Sequence, residues 1–246
     1  MRNLLFTMSY DGTNYHGFQI QKSDITIQQV LNEAFLKITK EKVDIIGCGR
    51  TDAGVHALDY NFSVKTNSKI PCEKFPVALN TALPDDIVIK KCEEKSEDFH
   101  ARYDIVNKTY RYIVYKGKIR NPFYDRYTFH YTFPVNMDNM KKCAKQIEGT
   151  HDFSSFMAQG SSIRDTVRTV YSIEITEKDD FIYFDVCGNG FLYNMVRIIV
   201  GTLLSAGRGI YSEEDVKKII EDKKRENSGT TVPPQGLFLK EVQYGK

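Results

Sequence analysis

One loop gathers the residues best suited to chemistry: Gly47-Cys48-Gly49-Arg50-Thr51-Asp52-Ala53-Gly54-Val55-His56-Ala57 sets three glycines around one arginine and one carboxylate. Glycine allows positive φ and lets another backbone or a ligand come close. Asp52 is the candidate reactive group, able when ionised to attack a carbon or remove a proton. Apolar runs on both sides, Val43–Cys48 and Leu58–Val64, predict strands that clamp the loop, and loops on rigid scaffolds are where chemistry concentrates. The same composition also suits a plain connection whose glycines turn the chain.

A second polar group is conspicuous for its surroundings. The run Leu192–Ala206 is apolar almost all round, as in a buried helix, with Arg197 in its middle. A guanidinium does not shed its charge, and leaving it buried and unpaired costs on the order of several kcal/mol, so an acid is expected to meet it. Asn194, Arg197, Gly201 and Ser205 fall on one stripe of small or polar residues, which is expected to face a cleft. The alternative is an arginine that reaches the helix edge and pairs with any nearby acid.

A third feature is a basic stretch, Lys108, Arg111, Lys116, Lys118, Arg120 and Arg126, interleaved with Tyr110, Tyr112, Tyr115 and Tyr124. Phosphate pairing and base stacking would use such a surface; so would a solvated strand pair with aromatic cross-strand partners. The net charge is only +2, so a nucleic-acid partner must be argued from this patch rather than from the total.

The elements that position these groups alternate. Strands are predicted at Leu4–Tyr10, Val43–Cys48, Leu58–Val64, Ile87–Glu93, Lys108–Tyr115, Thr166–Thr176, Phe181–Val186 and Leu237–Tyr244. Helices are predicted from Thr26 through Ile38, at Phe75–Ala82, Asn136–Ile147 and Leu192–Ala206, and after Ser212, with a polar loop over Lys223–Pro234. Helices between strand runs imply an α/β (α+β) fold of two halves, 1–105 and 106–246, sharing an antiparallel or mixed sheet. No phosphate-binding glycine motif follows a strand, so no dinucleotide or ATP site is expected. The chain has 246 residues with 41% hydrophobic and 27% charged, an ordinary soluble composition. No signal peptide or membrane span is expected. The five cysteines are scattered without a C-x-x-C pair, which suits reduced cytoplasmic thiols. Cys48 and His56 bracket the key loop, but two ligands do not make a zinc site, and no metal is expected.

The block Gly49–Ala57, G-R-T-D-A-G-V-H-A, resembles the signature of the tRNA pseudouridine synthase A (TruA) family. The resemblance runs the whole length: Ser9–Thr13 with Tyr15, Gly17-Phe18-Gln19 and Gln21; Phe99–Arg102; Lys108–Tyr112; Phe191–Arg197; and Pro233–Leu237 match further blocks in order. Departures are small: Phe129-His130 stands where Trp-His is expected, and Val232 where alanine is commoner.

The resemblance implies isomerisation of uridine to pseudouridine in the tRNA anticodon stem-loop, at positions 38, 39 and 40, without a cofactor. The implied fold has two similar halves with a shared, mainly antiparallel sheet around a central cleft, in a homodimer. By the same resemblance Asp52 is the catalytic carboxylate, acting as nucleophile or as base, and Arg197 is its ion-pair partner. Tyr110 stacks on the target uracil and enters proton transfer, Leu237 packs on the base, and Arg50 contacts phosphate where the base has flipped out. Lys108, Arg111 and Arg120 supply backbone contacts to the RNA.

Two other readings compete. A non-catalytic RNA-binding module would use the Tyr110 region but leaves Asp52 unexplained, since a carboxylate repels phosphate. A glycoside hydrolase would need a second acid, and Asp44 and Asp59 fall on or beside predicted strands instead.

Overall fold

The alternation at the start of the chain forms β1 (Arg2–Tyr10), which pairs antiparallel with β3 (His56–Thr66) on one side and β4 (Ile87–Lys95) on the other. The register sets Phe6 opposite Phe62 and Cys92. In this computed structural model, residues 1–160 and 163–245 are described. Two compact units form, Met1–Val106 with Phe238–Lys246, and Asn107–Leu237.

In the first unit β2 (Ile45–Gly47) adds to β3. Helix α1 (Ile27–Thr39) begins where the Thr26 hydroxyl accepts the Gln29 N–H, and it ends at Lys40 in the left-handed region. Helix α2 (Phe75–Asn80) follows a 3-10 turn at Cys72–Lys74. The core is a ring cluster: Phe6 stacks on Phe62 at 5.1 Å and meets Phe35 and Phe75 edge-on at 5.4 Å each.

The closing strand, expected with residues 106–246, belongs from Phe238 onward to this first unit. There β10 (Leu237–Tyr244) runs parallel to β3, with Phe238 opposite His56. The Tyr244 hydroxyl donates to the Ala101 carbonyl at 2.9 Å. A strand pairs where its ladder and apolar face find partners, whatever its distance along the chain.

In the second unit β5 (Ile105–Tyr115), β9 (Phe181–Gly188), β8 (Val167–Lys178) and β7 (Gly149–Asp152) form an antiparallel sheet in that order, and the short β6 (Phe129–His130) lies parallel to β5. Helices α3 (Met137–Ile147), α4 (Met195–Gly207) and α5 (Glu213–Asp222) complete the unit. A capping box between Ser212 and Asp215 starts α5. Helix α4 is buried on nearly every face, as its composition requires.

Its small-residue stripe does not open onto a cleft at Gly201. A Cβ there would stand 1.9 Å from the Thr230 carbonyl oxygen, and one on Gly229 would stand 2.4 Å from the Thr202 nitrogen. The segment after α5 is the expected polar loop, but it is held down: it contains a 3-10 turn at Arg225–Asn227, and the Gly229 N–H donates to the Thr202 hydroxyl at 2.9 Å. Among the described residues no helix is long and apolar enough to cross a membrane.

At the end of β7 the Asp152 carboxylate accepts the Ser154 N–H, the Ser154 hydroxyl and the Thr166 hydroxyl at 3.1, 2.6 and 2.6 Å, and meets Lys223 at 3.0 Å. These bonds, Ser154 first, hold its pKa well below the usual carboxylate range. A carboxyl depressed on folding contributes stability above its unfolded pKa, near ~3.9 for aspartate, and loses it as pH falls through the lower folded value. The protein should therefore lose stability on acidification below about pH 4, and Asp152→Asn should flatten that loss. Urea midpoints taken across this range check it, and parallel curves for the two proteins would contradict it.

Candidate active site

Between β2 and β3 the chain crosses the Asp52 loop. The Val55 N–H donates to the Asp52 carbonyl at 3.2 Å, with Gly54 between them at φ +75°, the type II turn geometry that calls for glycine. The segment Asp11–Phe18 lies directly against this loop. A Cβ on Gly12 would stand 2.0 Å from the Val55 carbonyl oxygen, and one on Gly17, itself at φ +81°, would stand 2.3 Å from that of Thr51. Backbone bonds join the two segments: Gly54 N–H to Tyr15 O at 3.2 Å, and Phe18 N–H to Thr51 O at 3.4 Å.

The other side of the loop rests on aromatic rings. The Tyr10 and Thr51 hydroxyls lie 2.9 Å apart, and the Tyr60 hydroxyl donates to the Gly49 carbonyl at 2.5 Å. Phe18 stacks on Tyr60 at 4.4 Å. At the exit, the Gly12 N–H donates to Nδ1 of buried His56 at 3.0 Å, Asp11 Oδ1 lies 3.1 Å from the same nitrogen, and Phe238 stacks on the imidazole at 4.7 Å. Asp52 is left half-buried and Arg50 exposed. The loop thus presents a fixed acid beside a cation available to solvent.

Tyr110, Arg197 and Leu237 lie in the second unit. Tyr110 sits on β5 opposite Val186, half-buried, with its ring edge-on to Phe191 at 5.3 Å. Tyr112, two residues along and so on the same face, is fully buried and donates to the Pro233 carbonyl at 2.7 Å. A Cβ on Gly236 would stand 2.7 Å from the Tyr112 ring, so the 3-10 turn Pro234–Gly236 is pressed against β5 and delivers Leu237, which is buried.

Arg197, expected in the middle of a buried helix, stands instead near its start and is half-buried. Asn194 takes the left-handed conformation at φ +59°, which asparagine tolerates, so α4 begins only at Met195 and Arg197 lies in its first turn, half-buried. Its Nε donates to the Val232 carbonyl at 2.7 Å and its Nη1 to Asn194 Oδ1 at 2.6 Å. Burial pushes the Tyr112 phenol well up, and the Arg197 charge draws it down. Tyr110, Arg197 and Leu237 thus share one neighbourhood around Tyr112.

The basic residues divide. Arg111 forks onto Asp185 of β9 at 2.7 and 2.6 Å, with its guanidinium 5.3 Å from the Tyr183 ring centre, which is the cross-strand role that the sequence left open. Arg120 is exposed and paired with Asp125, and Lys116 pairs with Glu177. Lys108 is half-buried on β5. Beside the Pro234 turn a groove of about 350 Å³ is lined by Arg120, Phe129, His130 and Gln235 among others. Among the described residues no three His, Cys, Asp or Glu side chains gather as metal ligands would. Tyr60 carries no mark in the sequence. Its place beside Gly49 follows only once β2 and β3 pair, with Gly47 opposite Phe62.

With this geometry in hand, the class of the protein follows from comparison. Residues 7–104 and 143–245 match the tRNA pseudouridine synthase family, and the chain belongs to it. Relatives named tRNA pseudouridine synthase A include that of Thermoanaerobacter sp. (strain X514), 50% identical over 99% of this chain and 100% of the relative. Those of Clostridium acetobutylicum and Bacillus subtilis (strain 168) are 46% identical over 99% of this chain and 100% of the relative, and 44% identical over 97% of each. Among solved structures, the archaeal box H/ACA sRNP Nop10-Cbf5 complex aligns with 89% of this chain and 60% of its own at 14% identity and a TM-score of 0.38, too weak a likeness to support an argument.

The close approach at Gly17 gives a direct test of the loop. Gly17→Ala needs both a left-handed alanine and a displaced Thr51 carbonyl, so it should lower unfolding free energy by about 2 kcal/mol or more and reduce activity at temperatures where the protein is still folded. Denaturant melts and turnover assays run together check this. A variant as stable and as active as the parent would contradict the packing.

Proposed function

We propose that this chain converts uridine to pseudouridine in the anticodon stem-loop of tRNA, at positions 38, 39 and 40, with Asp52 as the reacting carboxylate. The observation that carries the reading is the family match, which includes residues 7–104 and hence the Asp52 loop, together with 50% identity over 99% of the chain to a relative named for this activity. In the reaction the N1–C1′ glycosidic bond breaks, C5 bonds to C1′, the hydrogen on C5 leaves, and N1 gains a proton. Redox balance is unchanged, so no electron carrier is required.

A carboxylate serves this isomerisation as nucleophile or as base, and its effectiveness depends on being held in place. The reading gives Arg197 as the ion-pair partner that keeps Asp52 ionised. Tyr110 is the stacking and proton-transfer residue, Leu237 packs on the base, and Arg50 enters the position that the flipped nucleotide vacates. Lys108, Arg111 and Arg120 contact the RNA backbone, Arg111 in competition with Asp185. The protein works in the cytoplasm as a homodimer.

Incubation with tRNA tritiated at uridine C5 tests the proposal: tritium should appear in water, and replacing the uridines at 38, 39 and 40 by cytidine should stop it. Binding without release would favour an RNA-binding module instead. Arg197→Met should cut turnover by about 100-fold and move the remaining activity to higher pH, and Arg197→Lys should restore only part, because an ammonium lacks the guanidinium fork. An unchanged pH profile for Arg197→Met would remove Arg197 from the assignment.

A further inference from the structure

We propose that Tyr10 and Tyr60 are positioning residues of the reaction: their hydroxyls hold the Asp52 loop at Thr51 and at Gly49, on either side of Arg50, and so set where the carboxylate stands. This rests on Asp52 being the reacting group.

Regular pairing stops short of the loop. β2 ends at Gly47, and the Cys48 N–H makes the next bond, to the Asn61 carbonyl at 2.8 Å. From there the chain is irregular until β3 resumes at His56. A glycine-containing stretch without a ladder has many conformations open to it. Here side chains replace the missing strand. The Gly49 carbonyl accepts from Tyr60 at 2.5 Å, and the Thr51 hydroxyl is 2.9 Å from that of Tyr10. The bonds fall on the residues flanking Arg50, and the second adjoins Asp52.

The tyrosines are suited to this because both rings are packed in the core. Tyr60 is 0% exposed and Tyr10 4%, their ring centres are 5.7 Å apart, and Phe18 stacks on Tyr60. Tyr60 lies within β3 opposite Met8, and Tyr10 ends β1 opposite Ala57. The loop is therefore tied to two strands that are themselves hydrogen-bonded to each other. Burial raises the Tyr10 pKa, the hydrogen bond with Thr51 offsets part of that rise, and the Asp52 charge adds to it, so this phenol stays protonated and acts only through its hydrogen bond. Gly47 completes the fit, since a Cβ there would stand 2.2 Å from the Tyr60 hydroxyl oxygen.

Phenylalanine keeps each buried ring and deletes only the hydroxyl. Tyr10→Phe and Tyr60→Phe should each lower kcat for tritium release by about 10- to 100-fold, the range expected when a reacting group is slightly misplaced. KM for tRNA should change by less than about threefold, because the rate and not the affinity depends on loop position. Thr51→Val removes the same hydrogen bond from the loop side and leaves the tyrosines untouched. It should match Tyr10→Phe, and the double variant should be no slower than either single one, as for two halves of one interaction.

A merely structural role would lower the melting temperature and leave kcat at 25 °C intact; that outcome, or a change confined to KM, overturns the proposal. If Tyr10→Phe does not fold, Thr51→Val decides for that bond, and if Tyr60→Phe does not fold at 25 °C its kcat is compared with wild type at a lower temperature where it does; kcat near wild type in either case counts against the proposal. Absence of release by the wild-type protein would instead overturn the functional reading, whereas release by the wild type with unimpaired variants overturns this inference alone.

Discussion

The backbone of residues 12–17 lies so close to the Asp52 loop that two positions have no room for a side chain, and the geometry of the site depends on that contact. Gly12 abuts the Val55 carbonyl and Gly17 that of Thr51, so the loop is gripped just before and just after the acid. The grip holds because the segments on either side are already fixed: β1 leads into residues 11–18, β3 leads out of the loop, and the two are paired along their length. The ring cluster of Phe6, Phe35, Phe62 and Phe75 anchors that pair. Hydrophobic packing far from the acid therefore sets the position of a loop that has little regular structure of its own.

The second unit solves a related problem with different parts. Tyr110 lies on a strand whose other face carries the Arg111–Asp185 pair across to β9. Tyr112 on the same face as Tyr110 carries the Pro233 carbonyl, and Gly236 lets the following turn close on its ring. Arg197 is oriented by a carbonyl of that same returning segment and by the residue that starts its own helix. The near contact of Gly201 and Gly229 brings the segment alongside α4. One returning stretch, Ser228–Leu237, thus arranges both the arginine and the leucine.

Much of this was legible in the sequence, for physical reasons. Helix α1 has a threonine cap and a regular apolar face, β9 alternates along its whole length and β1 from Phe6 onward as half-buried strands do, and β3 is a nearly continuous buried run, so period, cap and apolar content were enough. The Asp52 loop stood out because three glycines gather about one acid, although Gly47 and Gly54 prove to have structural reasons of their own, the one packed against Tyr60 and the other at positive φ in a turn. Position within α4 was not: an asparagine in the left-handed region is a local choice that apolar periodicity does not report, and it moves Arg197 from mid-helix to the first turn. The return of β10 to the first unit depends on pairing across most of the chain, and β6 and β7 are too short to show a period. The Tyr10 and Tyr60 contacts needed the strand register before they could be seen.

The measurement closest to the central claim is tritium release by Asp52→Asn, with tRNA binding followed on the same preparation. The amide keeps the volume of the carboxylate and removes its nucleophilic or basic oxygen, while the loop contacts at Gly12, Gly17, Gly49 and Thr51 stay in place. The account predicts no detectable release above background and binding within a few-fold of wild type, about 1 kcal/mol or less. Turnover near that of the wild-type protein would contradict it.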